Sequence, residues 1–427
     1  MKKTILTLFV CLLAALILSA PMTIHTKAEQ SVYKFDDLIK QEKVKILGRT
    51  EPQMATAYWA GNGVEMNINN VGNDILFKIF TTEPQVFFEA FVDGSSIGRI
   101  AEPVTPDNTS LKVSGVQKGE HLLRIVRETP TSKDDTAFTF FDEISFDGTI
   151  NQKPADRELY IEIIGDSYAV GSGVLGTYKY GETYTVRDHS ATHSFGYYVA
   201  ENLNADYSIV AAGGLGLYEM SDEKKENYSG VPTTIQEIYN YTNGVYDYEN
   251  EGKYDFARKP DIIILRIGAN DDSKNEANWT NEFISFIEEI RSKNGNNVPI
   301  IYSGTRKNAH FASVLTAIKG KLKDKNVYAV ASDIEGLGGA ALPTQKSGHP
   351  NIAEQQQIAN DILKVINDNN LTEYHKNTKD DSEIKPQNKD GKDTKTKDIA
   401  VYTAIAVSVI VAGVIIFLLI RKKKKQT

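Results

Sequence analysis

The sequence predicts an α/β protein, a parallel sheet covered by helices on both faces and preceded by a smaller all-β domain. Three observations carry this. Between residues 157 and 371 short apolar runs alternate with helical patterns, as successive strand–helix–strand units require. Between residues 30 and 150 the apolar runs are separated by turn signals, and no long helical period follows Lys43. The third observation is size. A chain of 427 residues, 41% hydrophobic and 24% charged, has material for roughly two to three domains with cores of ordinary composition.

The chain opens on Met1-Lys2-Lys3, followed by an apolar stretch over residues 5–20 and then Thr26-Lys27-Ala28. A positive start, an apolar run and small residues at the cleavage positions predict a signal peptide over residues 1–28, cleaved before Glu29. The single cysteine, Cys11, lies inside that leader, too early in the apolar run for a lipoprotein cleavage box. The mature chain is therefore expected to carry no disulfide and no cysteine metal site.

In residues 30–150 the clearest strands are 64–68, 75–80, 86–92 and 121–126, with Asp93-Gly94 and Asp147-Gly148 as turn dipeptides. Short strands with this punctuation predict a small β-sandwich of the jelly-roll kind. In the domain spanning 157–371 the strands are apolar on both sides, at 159–164, 207–212, 261–267, 298–302 and 327–331. Helical patterns at 194–203, 279–290 and 309–322 lie between them, and 351–367 closes the domain.

Residues 372–398 are Lys, Asp, Asn and Thr with almost nothing apolar, a composition that stays solvated as a disordered polar linker. Residues 399–420 form an almost unbroken apolar run, long enough for a helix to cross ~30 Å of hydrocarbon. Arg421 and four lysines follow at once, which places the basic tail 421–427 in the cytoplasm. The expectation is a single-pass cell-membrane protein with its folded domains outside. The formal charge is −8; removing the three lysines of the leader and then the five basic residues of the tail leaves −16 on the remainder. Such a surface repels phosphates, so no nucleic-acid partner is expected.

The chemistry-bearing residues sit at the strand ends. Gly165-Asp166-Ser167 follows the first strand of the sheet, Gly213-Gly214-Leu215-Gly216 the second and Gly268-Ala269-Asn270-Asp271 the third, while Gly348-His349-Pro350 precedes the last helix. Strand ends of a parallel sheet meet on one edge, where reacting groups collect. Cleaving an acyl ester needs a nucleophile, a base that takes its proton and donors aimed at the developing oxyanion. Ser167 supplies the hydroxyl and His349 the base, which then acts as acid to the leaving alcohol. The Ser167 N–H, a glycine N–H from Gly214 or Gly216 and the Asn270 amide can form the oxyanion hole. Asp166 and Asp271 are expected to support these turns by accepting backbone N–H bonds.

No metal and no cofactor is expected, because no His, Asp or Glu group has ligand spacing and serine chemistry needs none. The glycines at 213, 214 and 216 lack dinucleotide-fingerprint spacing, and Ser167 is outside a G-x-S-x-G elbow.

Taken in order, Gly-Asp-Ser, the second-block glycines, Gly-x-Asn-Asp and the late His-Pro resemble the signature blocks of SGNH (GDSL-like) hydrolases over residues 160–370. The run Ala-Ala-Gly-Gly-Leu-Gly-Leu at 211–217, behind an N-terminal sandwich, is similar to carbohydrate esterase family 2. Gly48-Arg49-Thr50, Trp59 and Gly119-Glu120-His121 fall where that family's sandwich carries similar residues. The resemblance implies a flavodoxin-like doubly wound sheet, an acyl-enzyme on Ser167 and an acylated carbohydrate, mainly O-acetylated, as substrate.

One position departs. The usual triad has Asp three residues before the His, and here that residue is Lys346. The family resembled often manages with a Ser–His dyad whose imidazole is held by a backbone carbonyl; Asp333 and Glu335 are the alternatives from the preceding loop. The expected function is an extracellular, membrane-anchored O-deacetylase of a carbohydrate or cell-surface glycan. The rivals are a glycan-binding protein with a degenerate hydrolase domain and a lipase or thioesterase for longer acyl chains. His189 and His193 read as surface or capping residues. The tyrosines of 168–184 and 239–254 are candidates for stacking on sugar rings, against the plainer role of closing loop edges.

Overall fold

Alternation with a period of two builds the N-terminal region. In the computed structural model its strands are β1 Ser31–Lys34, β2 Lys45–Leu47, β3 Gly63–Asn70, β4 Ile75–Thr81, β5 Phe88–Val92, β6 Ser95–Arg99, β7 Ser110–Val113, β8 Gly119–Arg127, β9 Thr139–Phe146 and β10 Gly148–Ile150, with a short helix α1 Phe35–Lys40 after β1. The residues described are 30–373 without 52, 73, 132–135, 177–183, 219–231, 246, 248–251, 272–275, 324 and 335–348. The expected leader, the apolar segment 399–420, the basic tail and the linker from residue 374 onward lie outside them, while its first two residues, Thr372 and Glu373, belong to a 3-10 turn, Leu371–Glu373. Among the described residues no helix is long and apolar enough to cross a membrane.

The strands form two antiparallel sheets, ordered β1-β9-β4-β7 and β10-β3-β8-β5-β6, with β2 added on β3. On β4, Ile75, Phe77 and Ile79 are buried while Lys78 and Phe80 face out, as a half-buried strand requires. Phe141 of the neighbouring strand β9 meets the rings of Phe35, Phe77 and Phe88 at 5.3–6.1 Å and centres this core. The β5–β6 hairpin turns on Asp93 and Gly94, both at positive φ (52° and 80°), the conformation of a two-residue primed turn.

The second region is a five-stranded parallel sheet of β11 Tyr160–Gly165, β12 Asp206–Ala211, β13 Ile262–Arg266, β14 Ile300–Gly304 and β15 Val327–Ala331. Its described helices are α2 Phe195–Asn202, α3 Ile235–Tyr239, α4 Glu276–Asn294, α5 Ala309–Lys319 and α6 Ile352–Asp368. Side chains of β13 explain the two-sided apolar pattern. Ile262 and Ile264 pack toward α2 and α6, whereas Ile263 and Leu265 pack toward α4 and α5. The strand order is β12-β11-β13-β14-β15. The first strand of this sheet thus sits between the second and third, and a crevice opens outside the carboxyl ends of β11 and β13. Ser194 caps α2 by accepting the Tyr197 N–H, and Asn351 with Glu354 forms a reciprocal capping box on α6.

Charged pairs join the two regions. Arg49 is buried and lies 2.8 Å from Glu162 of β11. Lys45 meets Asp206 at 2.7 Å, and Arg124 bridges Glu65 and Glu201, both at 2.8 Å. Trp59 donates its indole N–H to the Thr242 carbonyl. Arg49 and Trp59, noted in the sequence for their place in the sandwich, therefore hold the junction between the two regions.

Candidate active site

The end of β11 is shaped by close backbone approach. A Cβ on Gly165 would lie 2.4 Å from the Arg266 carbonyl oxygen, so only glycine lets the chain turn there. Asp166 follows, fully buried, and its Oδ1 accepts the Tyr168 N–H at 3.1 Å while its carbonyl accepts the Ala169 N–H at 3.0 Å. This Asx-type turn presents Ser167 at the strand end.

The second block lies against the serine. Residues 212–215 close a turn, Leu215 N–H to Ala212 O, with Gly214 at φ 76°, as the third position of a type II turn needs. A Cβ on Gly213 would be 3.7 Å from Ser167 Cβ. Gly216 is used differently. Its N–H donates to the Thr233 carbonyl at 3.0 Å, and a Cβ on it would be 2.9 Å from Asp271 Oδ1. Of the two glycines proposed as oxyanion donors, Gly216 is thus occupied in a loop contact, and the expectation narrows to Gly214.

Asn270 is half-buried, and its Nδ2 donates to the Leu215 carbonyl at 2.9 Å. That bond uses one N–H of the amide and sets the plane in which the second points. Asp271 accepts the Leu217 and Tyr218 N–H groups at 2.9 and 2.7 Å. It fastens the second block to the third.

His349 is half-buried and packs between two tyrosines, with ring centroids 5.3 Å from Tyr168 and 5.2 Å from Tyr184. Tyr168 is the residue after Ser167, so the histidine and the nucleophile turn meet in one cluster. Burial and the neighbouring Asp166 push the Tyr168 phenol up to about 12, which keeps it a neutral wall for the site. Of the two alternative orienting acids, Asp333 is committed to the Arg306 N–H and guanidinium and the Thr305 hydroxyl. Glu335 and Lys346 lie outside the described residues.

Three features escaped the sequence reading. Gln355 of α6, fully buried, donates to the Tyr168 carbonyl at 3.1 Å and accepts the Phe195 N–H at 2.9 Å. It ties the helix that follows His349 to the nucleophile turn, and no motif marks a lone glutamine for such a role. His189, which the sequence marks as a surface or capping residue, is buried. Its Nδ1 accepts the Gly173 N–H at 3.0 Å, and its ring lies 5.0 Å from Tyr184. Burial, with His349 nearby, lowers its pKa to about 4. The third feature is an assembly of possible metal ligands. Glu89, Glu128 and His193 meet with ligand atoms within 4.8 Å of one another, although their spacing in the chain gave no sign of it.

Two sugar-stacking candidates are also reassigned. Tyr239 is buried and donates to Glu162, and Tyr254 stacks on Arg49 at 4.1 Å. A cavity of about 430 Å³ adjoins the nucleophile turn, lined by Asp166, Tyr168, Asp271, Lys307 and His310 among others.

No protein-family model matches the chain. It is 29% identical over 255 residues to a cellulase/esterase of Acetivibrio thermocellus, covering 58% of this chain but 29% of that protein's length. It is 22% identical over 326 residues to an acetylxylan esterase/glucomannan deacetylase of Cellvibrio japonicus, covering 73% of this chain and 86% of the other. Among solved structures, a family two carbohydrate esterase from Clostridium thermocellum in complex with cellohexaose superposes with a TM-score of 0.63 at 24% identity, over 77% of this chain and 99% of that one. The two relatives are named as esterases, and the structural neighbours of this chain include carbohydrate esterases of family 2, which are SGNH-type ester hydrolases.

Proposed function

We propose that the chain is an extracellular, membrane-anchored serine esterase that removes O-acetyl groups from a carbohydrate through Ser167 and His349. The observation that carries this reading is the meeting of Ser167, the turn at Gly213 and Gly214, and Asn270 at the edge where β11 and β13 end. His349 takes the Ser167 proton as Oγ attacks the acetyl carbon. The Ser167 N–H, the Gly214 N–H and the Asn270 amide receive the oxyanion. The imidazolium returns its proton to the departing sugar hydroxyl, leaving an acetyl-enzyme. Water, activated by the same histidine, then releases acetate.

A Ser–His dyad fits this chain because Lys346 replaces the usual acid and Asp333 is engaged elsewhere. The two-sheet N-terminal region and the strand order favour a jelly-roll sandwich and a flavodoxin-like sheet. Acetyl in preference to long acyl groups is supported by the adjoining cavity, whose Asp166, Asp271, Lys307 and His310 suit a hydrated sugar better than an aliphatic tail.

The test compares the purified chain and Ser167→Ala on acetylated xylan and on small acetyl and octanoyl esters. The expected result is acetate release that falls by about 10⁴-fold in the variant at unchanged melting temperature. An unchanged rate in the variant, or preference for octanoyl, overturns the reading. Protease accessibility of the folded domains on intact cells tests the external, anchored placement.

A further inference from the structure

Behind the nucleophile turn, where the sandwich meets residues 184–194, three ligand-type side chains from distant segments converge. Glu89 comes from β5, Glu128 follows the last residue of β8, and His193 ends a 3-10 turn, Ala191–His193. One ligand atom of each lies within 4.8 Å of the other two. Glu128 is completely buried and Glu89 nearly so, while His193 is half-buried.

The groups around them leave the negative charge poorly compensated. Glu89 accepts hydrogen bonds from Ser96 Oγ at 2.5 Å and Thr192 Oγ1 at 3.3 Å. Glu128 Oε2 accepts from Ser190 Oγ, which also lies 2.8 Å from His193 Nδ1, whereas Glu128 Oε1 accepts no hydrogen bond. Arg99 is the neighbouring cation, but its Nη1 donates to the His189 carbonyl, its guanidinium stacks on Phe87 at 4.4 Å, and its Nε and Nη2 are without partners. Two buried carboxylates in one space are costly unless a proton or a cation intervenes. An imidazole converging on the two carboxylates supplies a third ligand, which a cation needs and a shared proton does not.

We propose that Glu89, Glu128 and His193 bind one divalent transition-metal ion of the zinc class. Calcium and magnesium prefer six or more oxygen ligands, whereas one imidazole with two carboxylates suits zinc. A water or a hydroxyl from Ser190 or Thr192 completes four-coordination. A zinc tetrahedron has edges of roughly 3.4 Å, so side-chain movements on the order of 1 Å close the site.

The ion's role is structural. Ala191 N–H donates to the Glu128 carbonyl, Ser190 N–H to the Gly171 carbonyl and Gly173 N–H to His189 Nδ1. The metal would therefore clamp the sandwich to the segment that backs the nucleophile turn, without touching the reacting atoms.

The test uses the untagged purified chain, stripped by a chelator and dialysed against Zn²⁺, with Mg²⁺ as comparison. Metal content is read by mass spectrometry and stability by melting temperature. Expected are one zinc per chain and a melting temperature raised by Zn²⁺ but not by Mg²⁺. His193→Ala and Glu128→Gln, each checked for folding by circular dichroism, should lose affinity by about 100-fold or more and abolish the shift. No zinc in the wild-type chain overturns the proposal, as does equal uptake by a folded His193→Ala; the two carboxylates then share a proton instead.

Discussion

The parallel sheet and the sandwich treat buried charge differently. Strand β13 is buried along its length and presents Ile262, Ile263, Ile264 and Leu265 to the helix layers, its one charge, Arg266, lying at the carboxyl end. The sandwich, by contrast, carries Lys45, Arg49, Glu65 and Arg124 into its junction with the sheet, each buried and each paired. The two meet at Glu162 of β11, a buried carboxylate satisfied by Arg49 from the sandwich and the Tyr239 hydroxyl. The sheet thus presents the candidate site residues on backbone turns at its carboxyl strand ends, whereas the ion pairs from the sandwich reach Glu162 within β11 and Asp206 at the start of β12. With its charged face spent on the junction, the sandwich is scaffold for the second region as much as a domain of its own.

The sharpest way to break this division is Arg49→Ala. It leaves Glu162 buried without a countercharge, and equilibrium denaturation should show a loss of about 3–5 kcal/mol. The pair variant Arg49→Met with Glu162→Met should recover most of it, since replacing a buried ion pair by apolar groups is close to neutral. Recovery of nothing would mean that Arg49 acts through its aromatic and carbonyl contacts instead.

Asn270→Ala probes the other side of the comparison. Losing one oxyanion donor should raise the barrier by about 2.7–4 kcal/mol and lower kcat by roughly 10²–10³-fold, with the melting temperature little changed. A fall of less than tenfold would remove Asn270 from the oxyanion hole.

His189 links the two sides, since its ring supports the nucleophile loop and its carbonyl takes Arg99 from the sandwich. Folded, it stays neutral down to about 4, while the unfolded chain takes up the proton near 6.5. The unfolded state therefore binds more protons in that window. The contribution of this group is present in full above 6.5 and is lost as pH falls toward 4, by up to ~3 kcal/mol. Urea unfolding from pH 7.5 to 4.5 should show His189→Gln losing less stability over this range than the wild type. Parallel curves would place the acid sensitivity elsewhere.

The smallest effect is expected from Gln355→Leu. It removes two neutral hydrogen bonds between α6, the nucleophile turn and α2, worth about 1–2 kcal/mol together. A fall in kcat at constant KM would show that the glutamine positions the turn; a stability change alone would confine it to packing.

Much of the scaffold was legible before any coordinates. All five parallel strands fall within a few residues of the apolar runs, and 327–331 coincides with β15. The helix around Trp279 is longer than its pattern suggested, Glu276–Asn294 against 279–290, because polar first and last turns dilute the period. The glycine blocks were visible because turn chemistry is written in consecutive residues. Less visible was what each glycine does. Gly213 faces the serine and Gly216 is spent on Thr233, a division that depends on a loop arriving from elsewhere in the chain. His189 and Tyr239 were placed too near the surface, since a polar or amphipathic residue between two elements gives no local sign of being covered by a third.

The sequence by itself determined the alternation of strands and helices, the all-β character of the first region and the residue types assembled at the strand ends. These follow from hydrophobic periods and turn preferences, which act over a few residues. Only the tertiary structure decided that β11 lies between β12 and β13, so that Ser167 and Asn270 share an edge. It alone brought Arg49 to Glu162, Gln355 to Tyr168, and Glu89 and Glu128 to His193. Those meetings join segments tens to hundreds of residues apart, and they are set by how whole layers pack, which no local pattern encodes.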